Sequence, residues 1–277
     1  MKVGMAAIDG NRKVVIGDHN NDWHVVSGQS AISSVKRLIV QSNALAQLFE
    51  SGEKTNQPLQ FLAPIKGAEK VLCVGKNYAD HAREMGGEAP DLPVIFNKLS
   101  SCIIGMAEKI EIPSISNQVD YEAELVVVIG KKGRHIDEAV ALYYVFGYTI
   151  GNDVSARDWQ KGRPGGQWLL GKAFDTFAPL GPFIVTTDEI TDPHDLSIEL
   201  KLNGSVMQSG HTGQLIFRIE KLISHLSKFF TLKPGDLIFT GTPAGVGAGR
   251  NPPLYLKSGD KIQITIPEIG TLSNEVA

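Results

Sequence analysis

The segment that most constrains the fold is Asp120–Ile129, in which two glutamates lead directly into an apolar run. Glu122 and Glu124 precede Leu125-Val-Val-Val-Ile129, and Gly130 ends the run. A short apolar run bounded by glycine is typical of a buried strand, and alternate residues of a strand face the same side. The two glutamates therefore share one face beside a buried strand, where two carboxylates repel each other and lose hydration.

This pair has two interpretations from the segment alone. A hard divalent cation would compensate both charges, because Mg²⁺, Mn²⁺ and Ca²⁺ prefer oxygen ligands. The other interpretation is an exposed edge strand with two solvated glutamates. Asp153 follows the predicted strand 145–150 after Gly151-Asn152. It is a candidate third ligand, and its alternative role is an N-cap for a helical turn. Glu122, Glu124 and Asp153 together predict a metal site with positions left for water and substrate.

The rest of the chain predicts an α+β fold that is mostly β. Residues 66–277 contain many short apolar runs separated by Gly and Pro, with Asn203-Gly204 as a type I′ hairpin turn. The absence of regular β-α alternation argues against a Rossmann fold or a (βα)8 barrel. The predicted helices of this part are few and cover residues 77–85, 137–144 and 214–230.

A smaller N-terminal domain is predicted over residues 1–65. Residues 1–29 alternate short apolar pieces with turns, which indicates an antiparallel meander. Residues 31–49 have the apolar spacing of a helix, with Ser30 as its N-cap and Gly52 as its stop. The polar, proline-bearing segment 56–64 is predicted to be a linker.

Charge and cysteine content exclude several classes of protein. The net charge is 27 − 30 = −3, and there is no run of like charges, so nothing favours nucleic acid or an anionic membrane as a partner. No apolar run approaches the roughly 20 residues of a membrane span. Two cysteines, Cys73 and Cys102, do not make a disulfide framework and favour a reducing compartment. A cytoplasmic location is expected, or a mitochondrial one if a presequence has been removed.

His81 and Glu84 are three residues apart in the predicted helix 77–85, so their side chains are neighbours. A carboxylate beside an imidazole fixes its orientation and raises its basicity, which gives a general base for water. A surface pair is the alternative. Asn77 and Gly86-Gly87 flank the segment and suggest a mobile lid.

Candidate substrate-binding groups lie after Asp153 and near the C-terminal end. Arg157, Gln160 and Lys172 supply donors for a carboxylate and a developing oxyanion, although each alone is more often a surface residue. The segment 241–247 follows a predicted strand, and its N–H groups, including that of Gly241, together with the Thr242 hydroxyl could hold an anion. A tight structural turn is the alternative. No dinucleotide fingerprint or complete phosphate loop is present, so no organic cofactor is expected.

Several motifs in order resemble the fumarylacetoacetate hydrolase superfamily over about residues 66–277. Within it, residues 155–160 and 167–180 look most like the second type of fumarylacetoacetate hydrolase domain-containing protein and its bacterial relatives. The matching segments are Gly75-Lys76-Asn77-Tyr78 with His81 and Glu84, Asp120–Glu124, Gly151–Asp158, Gly171–Asp175, Asn203-Gly204 and Thr240–Val246.

The resemblance implies a mixed β-sandwich roll, a homodimer and a small-molecule 2-oxo acid as substrate. It implies Mg²⁺, with Mn²⁺ or Ca²⁺ as alternatives, held by Glu122, Glu124 and Asp153. His81 and Glu84 would form a dyad on a lid. The pocket would be lined by Lys172, Arg157, Gln160, Thr242 and Gly241.

Three functions are expected, and the first two follow from the resemblance. The first is hydrolysis of a C–C bond in an acylpyruvate-type substrate through a metal-bound enolate, with His81 deprotonating water and Lys172 stabilising the enolate. The second is keto–enol tautomerisation or decarboxylation of oxaloacetate at the same site. The fold and the metal site do not decide between these two reactions. The third expectation, from another class of function, is a non-catalytic binding module with a structural ion.

Overall fold

A computed structural model describes residues 1–26 and 34–277 of the chain. In these ranges the helices α1 to α6 are Val35–Val40, Leu45–Glu50, Ala79–Glu84, Arg157–Gln160, Leu169–Lys172 and Ile219–Phe229. The strands β1 to β18 are, in order, Lys2–Ile8, Asn11–Gly17, Trp23–Val25, Glu53–Thr55, Gln60–Leu62, Val71–Gly75, Val94–Lys98, Ile103–Ile104, Val119–Asp120, Ala123–Ile129, Val145–Asn152, Ser155–Ala156, Ala178–Thr186, Ser197–Leu202, Ser205–His211, Leu237–Phe239, Lys261–Ile266 and Gly270–Glu275. The predicted α+β, mostly β class is confirmed.

Most strands belong to one mixed sheet of 12 strands, whose main order is β4-β3-β2-β1-β13-β11-β10-β16-β6-β7. The sheet is mostly antiparallel, but β16 and β6 pair in parallel, as do β13 and β8. A second, antiparallel sheet has the order β15-β14-β17-β18, and β9 and β12 form a separate pair. Strand β10 is central because β11 and β16 flank it on both sides.

Two hydrophobic cores lie on opposite faces of β10. Its odd-numbered residues Leu125, Val127 and Ile129 pack in one core with residues of the four-stranded sheet, including Leu200 and Ile264. Its even-numbered residues Val126 and Val128 pack in the other core, together with α1 and β16. A strand that is buried on both faces reads as a continuous apolar run rather than an alternating one, which accounts for the sequence of residues 125–129.

The N-terminal part differs from its prediction in two ways. The single helix predicted over residues 31–49 is two short helices, α1 and α2, separated by a 3₁₀ turn at Ser42–Ala44. Ser34 caps α1 by accepting a hydrogen bond from the Arg37 N–H, whereas Ser30 lies outside the described residues. The predicted linker 56–64 contains strand β5, which pairs with β1, and β1 pairs in turn with β13. The division into domains at residues 1–65 and 66–277 stays a prediction.

The predicted helix over residues 214–230 begins five residues late, at Ile219. Residues 216 and 217 cannot join it because their N–H groups donate to Asn77, to its carbonyl oxygen at 2.8 Å and to its side-chain oxygen at 2.7 Å. The helix predicted over residues 137–144 is a 3₁₀ helix, Glu138–Tyr144, capped by Asp137. Asn203 and Gly204 both have positive φ, as a type I′ turn requires.

Two further findings concern the cysteines and membrane-spanning helices. Cys73 and Cys102 are both free and buried. Among the described residues, none of the helices combines the length and the apolar character needed to cross a membrane.

Candidate metal centre and active site

The pairing register of β10 and β11 brings three acidic side chains together. Ala123 is paired with Asn152, so Glu122 and Asp153 lie opposite each other just beyond this pair, and the Asp153 N–H donates to the Glu122 carbonyl at 2.9 Å. Glu122, Glu124 and Asp153 each offer a carboxylate oxygen, and these oxygens lie within 4.8 Å of one another. All three side chains are buried. The structure therefore forms a cluster of three carboxylates from residues that are 31 positions apart at most.

Glu124 is the member of this cluster without a counterion. Its carboxylate accepts one hydrogen bond, from the Gly241 N–H at 2.8 Å, and no lysine, arginine or histidine of the described residues forms a salt bridge with it. Burial, with the nearby charges of Asp153 and Glu122, raises the pKa of Glu124 well above its ordinary value. A cation in the cluster would offset the free-energy cost of ionising Glu124 in this buried position, because the described part of the protein provides no counterion for that carboxylate.

Glu122 is in the opposite situation. Burial alone would raise its pKa, but the positive charges of Lys172 and Arg157 outweigh burial and lower it. Lys172 Nζ lies 2.7 Å from Oε2 of Glu122 and 2.7 Å from Oδ2 of Asp153, and Arg157 Nη1 lies 2.7 Å from Oε1 of Glu122. Among the described residues, Glu122 and Asp153 thus contact buried cations, while Glu124 does not.

Lys98 is a buried cation that the sequence did not single out. Its Nζ donates to the carbonyl oxygens of Val154, Lys172 and Phe177 at 3.0, 2.5 and 2.8 Å. These three bonds use all the N–H groups of an ammonium. Asp153 Oδ1 is only 2.8 Å from the same nitrogen but receives no hydrogen bond. Lys98 therefore fixes the backbone around Lys172 and places its positive charge beside Asp153.

The chemistry of this donor set fits a hard divalent ion. Three carboxylates within bonding reach of one point, without nitrogen or sulfur donors, match the preference of Mg²⁺, Mn²⁺ and Ca²⁺. The Glu124 carboxylate is the group that would gain most, because Asp153 and Glu122 already contact buried lysine or arginine side chains. The cluster could therefore hold a metal ion.

His81 and Glu84 both lie on α3, whose first turn is anchored by Asn77. The Asn77 amide donates to the carbonyl oxygens of Phe217 and Thr240 at 3.1 and 2.7 Å. His81 Nδ1 lies 3.5 Å from Oε2 of Glu84, and His81 is buried. Since Nδ1 faces Glu84, Nε2 is the ring nitrogen left for the cavity. Whether α3 moves as a lid stays a prediction.

The segment 241–248 holds anions, but in the structure these are carboxylates of the protein itself. The Gly241 N–H donates to Glu124, and the Gly245 N–H donates to both oxygens of Glu84 at 3.0 and 3.1 Å. The N–H groups of Gly247 and Ala248 donate to Asp120 at 2.7 and 2.9 Å. One backbone segment thus positions Glu124 of the carboxylate cluster, Glu84 beside His81, and Asp120.

Thr242, Arg157 and Gln160 line the same cavity but already have partners within the protein. The Thr242 hydroxyl donates to the Ala123 carbonyl at 2.9 Å. Arg157 contacts Asp120 through Nε and Nη2, and its Nη1 donates to the Gln160 side-chain oxygen at 2.9 Å. Their roles, and that of Gly241, as substrate-binding groups stay predictions.

The cavity beside the carboxylate cluster has a volume of about 130 Å³. Pockets for drug-sized ligands are typically about 300–1,000 Å³, so this space suits a small ligand. Trp168 helps to close it: its ring lies so near Gly75 that a Cβ there would be 2.5 Å from the indole. The walls include Glu122, Glu124, His81, Arg157, Gln160, Lys172, Thr242, Lys76, Lys161, Phe96, Met85 and Trp168.

Comparison with known sequences gives a family match. The profile described as "Fumarylacetoacetate (FAA) hydrolase C-terminal" matches residues 70–277. The chain is 49% identical, over 249 residues, to the protein named "Oxaloacetate tautomerase FAHD2A, mitochondrial" from Bos taurus. This alignment covers 90% of the chain and 77% of the bovine protein. The sequence-based resemblance to the family is confirmed.

Two solved structures extend the comparison to the fold. The fumarylacetoacetate hydrolase of Exiguobacterium antarcticum has a TM-score of 0.91 and 39% identity, with 100% of this chain and 99% of that chain covered. The fumarylpyruvate hydrolase of Pseudomonas aeruginosa, in complex with Mn²⁺ and pyruvate, has a TM-score of 0.70 and 37% identity, with 79% and 91% covered. These similarities agree with the mostly β architecture described above.

Proposed function

The chain belongs to the fumarylacetoacetate hydrolase family, and from this premise we propose that it is a divalent-metal-dependent oxaloacetate tautomerase. The observation that carries the proposal is the cavity of about 130 Å³ that joins the carboxylate cluster to His81 and Lys172. It suits a four-carbon 2-oxo acid better than an extended acylpyruvate. The name of the bovine relative, at 49% identity, supports the same choice.

Glu122, Glu124 and Asp153 would hold the ion, with Mg²⁺ as the first candidate and Mn²⁺ or Ca²⁺ as alternatives. When bound, the ion supplies Lewis-acid chemistry that polarises the 2-oxo group. The Mn²⁺ of the Pseudomonas aeruginosa protein supports a site for an ion of this class. No organic cofactor is part of the proposal.

Tautomerisation moves one proton between C3 and the 2-oxo oxygen, and it consumes no water. We assign the proton transfer to His81 Nε2, because Nδ1 faces Glu84 and that contact orients the ring. Lys172 keeps a positive charge beside the cluster, since burial lowers its pKa but the charges of Asp153 and Glu122 raise it above the ordinary value overall. That charge would stabilise the negative charge that develops as C3 loses its proton.

Hydrolysis of an acylpyruvate is the second candidate, and it is the one that the sequence alone favoured. A histidine paired with a glutamate could also activate water, and the Pseudomonas aeruginosa relative is named a fumarylpyruvate hydrolase. Decarboxylation of oxaloacetate would use the same cluster. A purely structural ion is disfavoured, because it would need neither His81 nor a cavity, and the bovine and Pseudomonas aeruginosa relatives are named as enzymes.

A substrate panel distinguishes these reactions. We expect the Mg²⁺-loaded protein to accelerate loss of enol-oxaloacetate absorbance while total oxaloacetate stays constant. Acetylpyruvate and fumarylpyruvate should disappear at the background rate. Excess EDTA should remove the acceleration, because the cluster would lose its ion, and added Mg²⁺ should restore it. Fast acylpyruvate cleavage, or release of carbon dioxide at the rate of enol loss, would contradict the proposal.

The homodimer and the compartment stay predictions. A homodimer is expected from the family, and light scattering of the purified protein measures it. The composition favoured the cytoplasm, whereas the bovine relative is named as mitochondrial, which supports the mitochondrial alternative.

A further inference from the structure

The cations in the depth of the cavity are already neutralised by carboxylates. Lys172 lies 2.7 Å from Glu122 and Asp153, and Arg157 lies within 2.9 Å of both Asp120 and Glu122. Their charges are therefore committed to positioning the cluster. A second carboxylate on a substrate would have to find its counterion elsewhere on the cavity wall.

Two further cations line the cavity, Lys76 and Lys161. In the described ranges, neither ammonium group forms a salt bridge or a side-chain hydrogen bond. Burial lowers the pKa of Lys161, and the positive charges of Arg157 and Lys76 lower it further. Lys76 and Lys161 thus add positive charge to this wall that no carboxylate of the described residues pairs with.

The backbone of Lys76 is held in a conformation that few side chains adopt. Lys76 follows β6 directly and has a φ of 56°, in the left-handed region. Its side chain runs beside Gly87 after α3, where an added Cβ would lie 3.0 Å from the Lys76 nitrogen. Unusual backbone at a cavity wall occurs where the surroundings impose it. Here it directs a charged side chain to the cavity between β6 and α3.

We propose that Lys76 and Lys161 bind the distal carboxylate of a 2-oxo dicarboxylate whose 2-oxo acid end faces Glu122, Glu124 and Asp153. The inference rests on the proposed function and names its specificity determinants. Two ammonium groups suit a carboxylate that must enter and leave, because lysine acts as a mobile point charge. A substrate without this second carboxylate would leave both charges unpaired.

A pair of unreactive ligands tests this subsite without turnover. Malate and lactate are both 2-hydroxy acids, and malate differs by the added distal carboxylate. We expect the Mg²⁺-loaded wild-type protein to bind malate more tightly than lactate in calorimetric titrations. Lys161→Met and Lys76→Asn should each lower malate affinity about 10- to 100-fold, the range for a hydrogen bond to a charged group. Lactate affinity should change by about twofold or less.

Matched variants separate charge from folding. Asparagine is chosen at residue 76 because it tolerates positive φ better than other non-glycine residues. Lys132→Met is the control, since Lys132 is exposed and does not line the cavity, and it should leave both affinities unchanged. Equal losses for malate and lactate, or no loss for either, would overturn the subsite.

Failure of the subsite and failure of the proposed reaction give different results. If the wild-type protein tautomerises oxaloacetate but the lysine variants keep the full preference for malate, the subsite is wrong and the reaction stands. If oxaloacetate is not turned over but the variants lose that preference, the subsite stands for another 2-oxo dicarboxylate and the proposed reaction is wrong.

Discussion

Replacing Glu124 by glutamine is expected to abolish the thermal stabilisation given by Mg²⁺ and to lower kcat/KM for oxaloacetate roughly 1,000-fold or more. A bound ion that polarises a carbonyl contributes several kcal/mol to transition-state stabilisation, and each 1.36 kcal/mol is tenfold in rate. Glu124 accepts only the Gly241 N–H, so its carboxylate has no role in the metal-free protein that a glutamine oxygen could not fill. The substitution should therefore weaken metal binding without disturbing the fold.

The same change should stabilise the metal-free protein. The pKa of Glu124 is raised by burial and by the charges of Asp153 and Glu122, which means that its ionised form is unfavourable there. Glutamine removes that charge and keeps the shape of the side chain. In the presence of EDTA, E124Q should therefore melt above the wild-type protein, by about 2–4 °C for each kcal/mol gained.

Differential scanning fluorimetry with and without Mg²⁺ measures both effects. Glu268→Gln is the matched control, because Glu268 is exposed and lies outside the cluster, and it should behave as the wild type does. If E124Q is still stabilised by Mg²⁺ to the wild-type extent, Glu124 is not a ligand.

Replacing His81 by alanine is expected to lower kcat for tautomerisation roughly 100- to 10,000-fold, the range for loss of a general acid–base group. KM should change little, since His81 is assigned to proton transfer and not to binding. Mn²⁺ affinity should also be retained, because the three clustered carboxylates do not include His81.

Steady-state kinetics and Mn²⁺ titration of the same preparation test this assignment. His19→Ala is the control, because His19 is exposed in the β2–β3 connection and does not line the cavity. An unchanged kcat for H81A would mean that another group moves the proton. Loss of Mn²⁺ binding would mean that His81 supports the cluster instead.

The three carboxylates of the cluster could be predicted from the sequence because each lies in or next to a strand that the local apolar pattern identifies. Glu122 and Glu124 precede a continuous apolar strand, and Asp153 follows the strand that pairs with it. The pairing of Ala123 with Asn152 then makes the cluster a consequence of register. Alternation on a strand and the position of a polar residue at its end are readable in a sequence.

Other site features depend on contacts that no local pattern contains. Lys98 ends strand β7 and reads as an ordinary exposed lysine, but its acceptors are carbonyls 56 to 79 residues away. Helix α6 starts late because Asn77, 140 residues earlier, takes the N–H of Phe217. The N–H groups after β16 were expected to hold a ligand, and their partners in the structure are Glu124, Glu84 and Asp120.

The choice between hydrolysis and tautomerisation also could not be predicted from local sequence patterns, because it depends on contacts between distant segments. Hydrolysis and tautomerisation would use the same carboxylates, His81 and Lys172. They differ in whether water reaches the substrate and in the size of the ligand. Cavity volume and the placement of Trp168, Lys76 and Lys161 on its wall decide those properties, and they arise only when distant segments pack.

The central claim is that Glu122, Glu124 and Asp153 bind one divalent ion at the wall of the cavity. The most direct measurement is an anomalous difference map from crystals soaked in Mn²⁺, recorded on both sides of the manganese absorption edge. The claim predicts one strong peak within coordination distance of all three carboxylates. A peak that contacts only surface acids, or a fully soaked crystal without a peak between these residues, would contradict it.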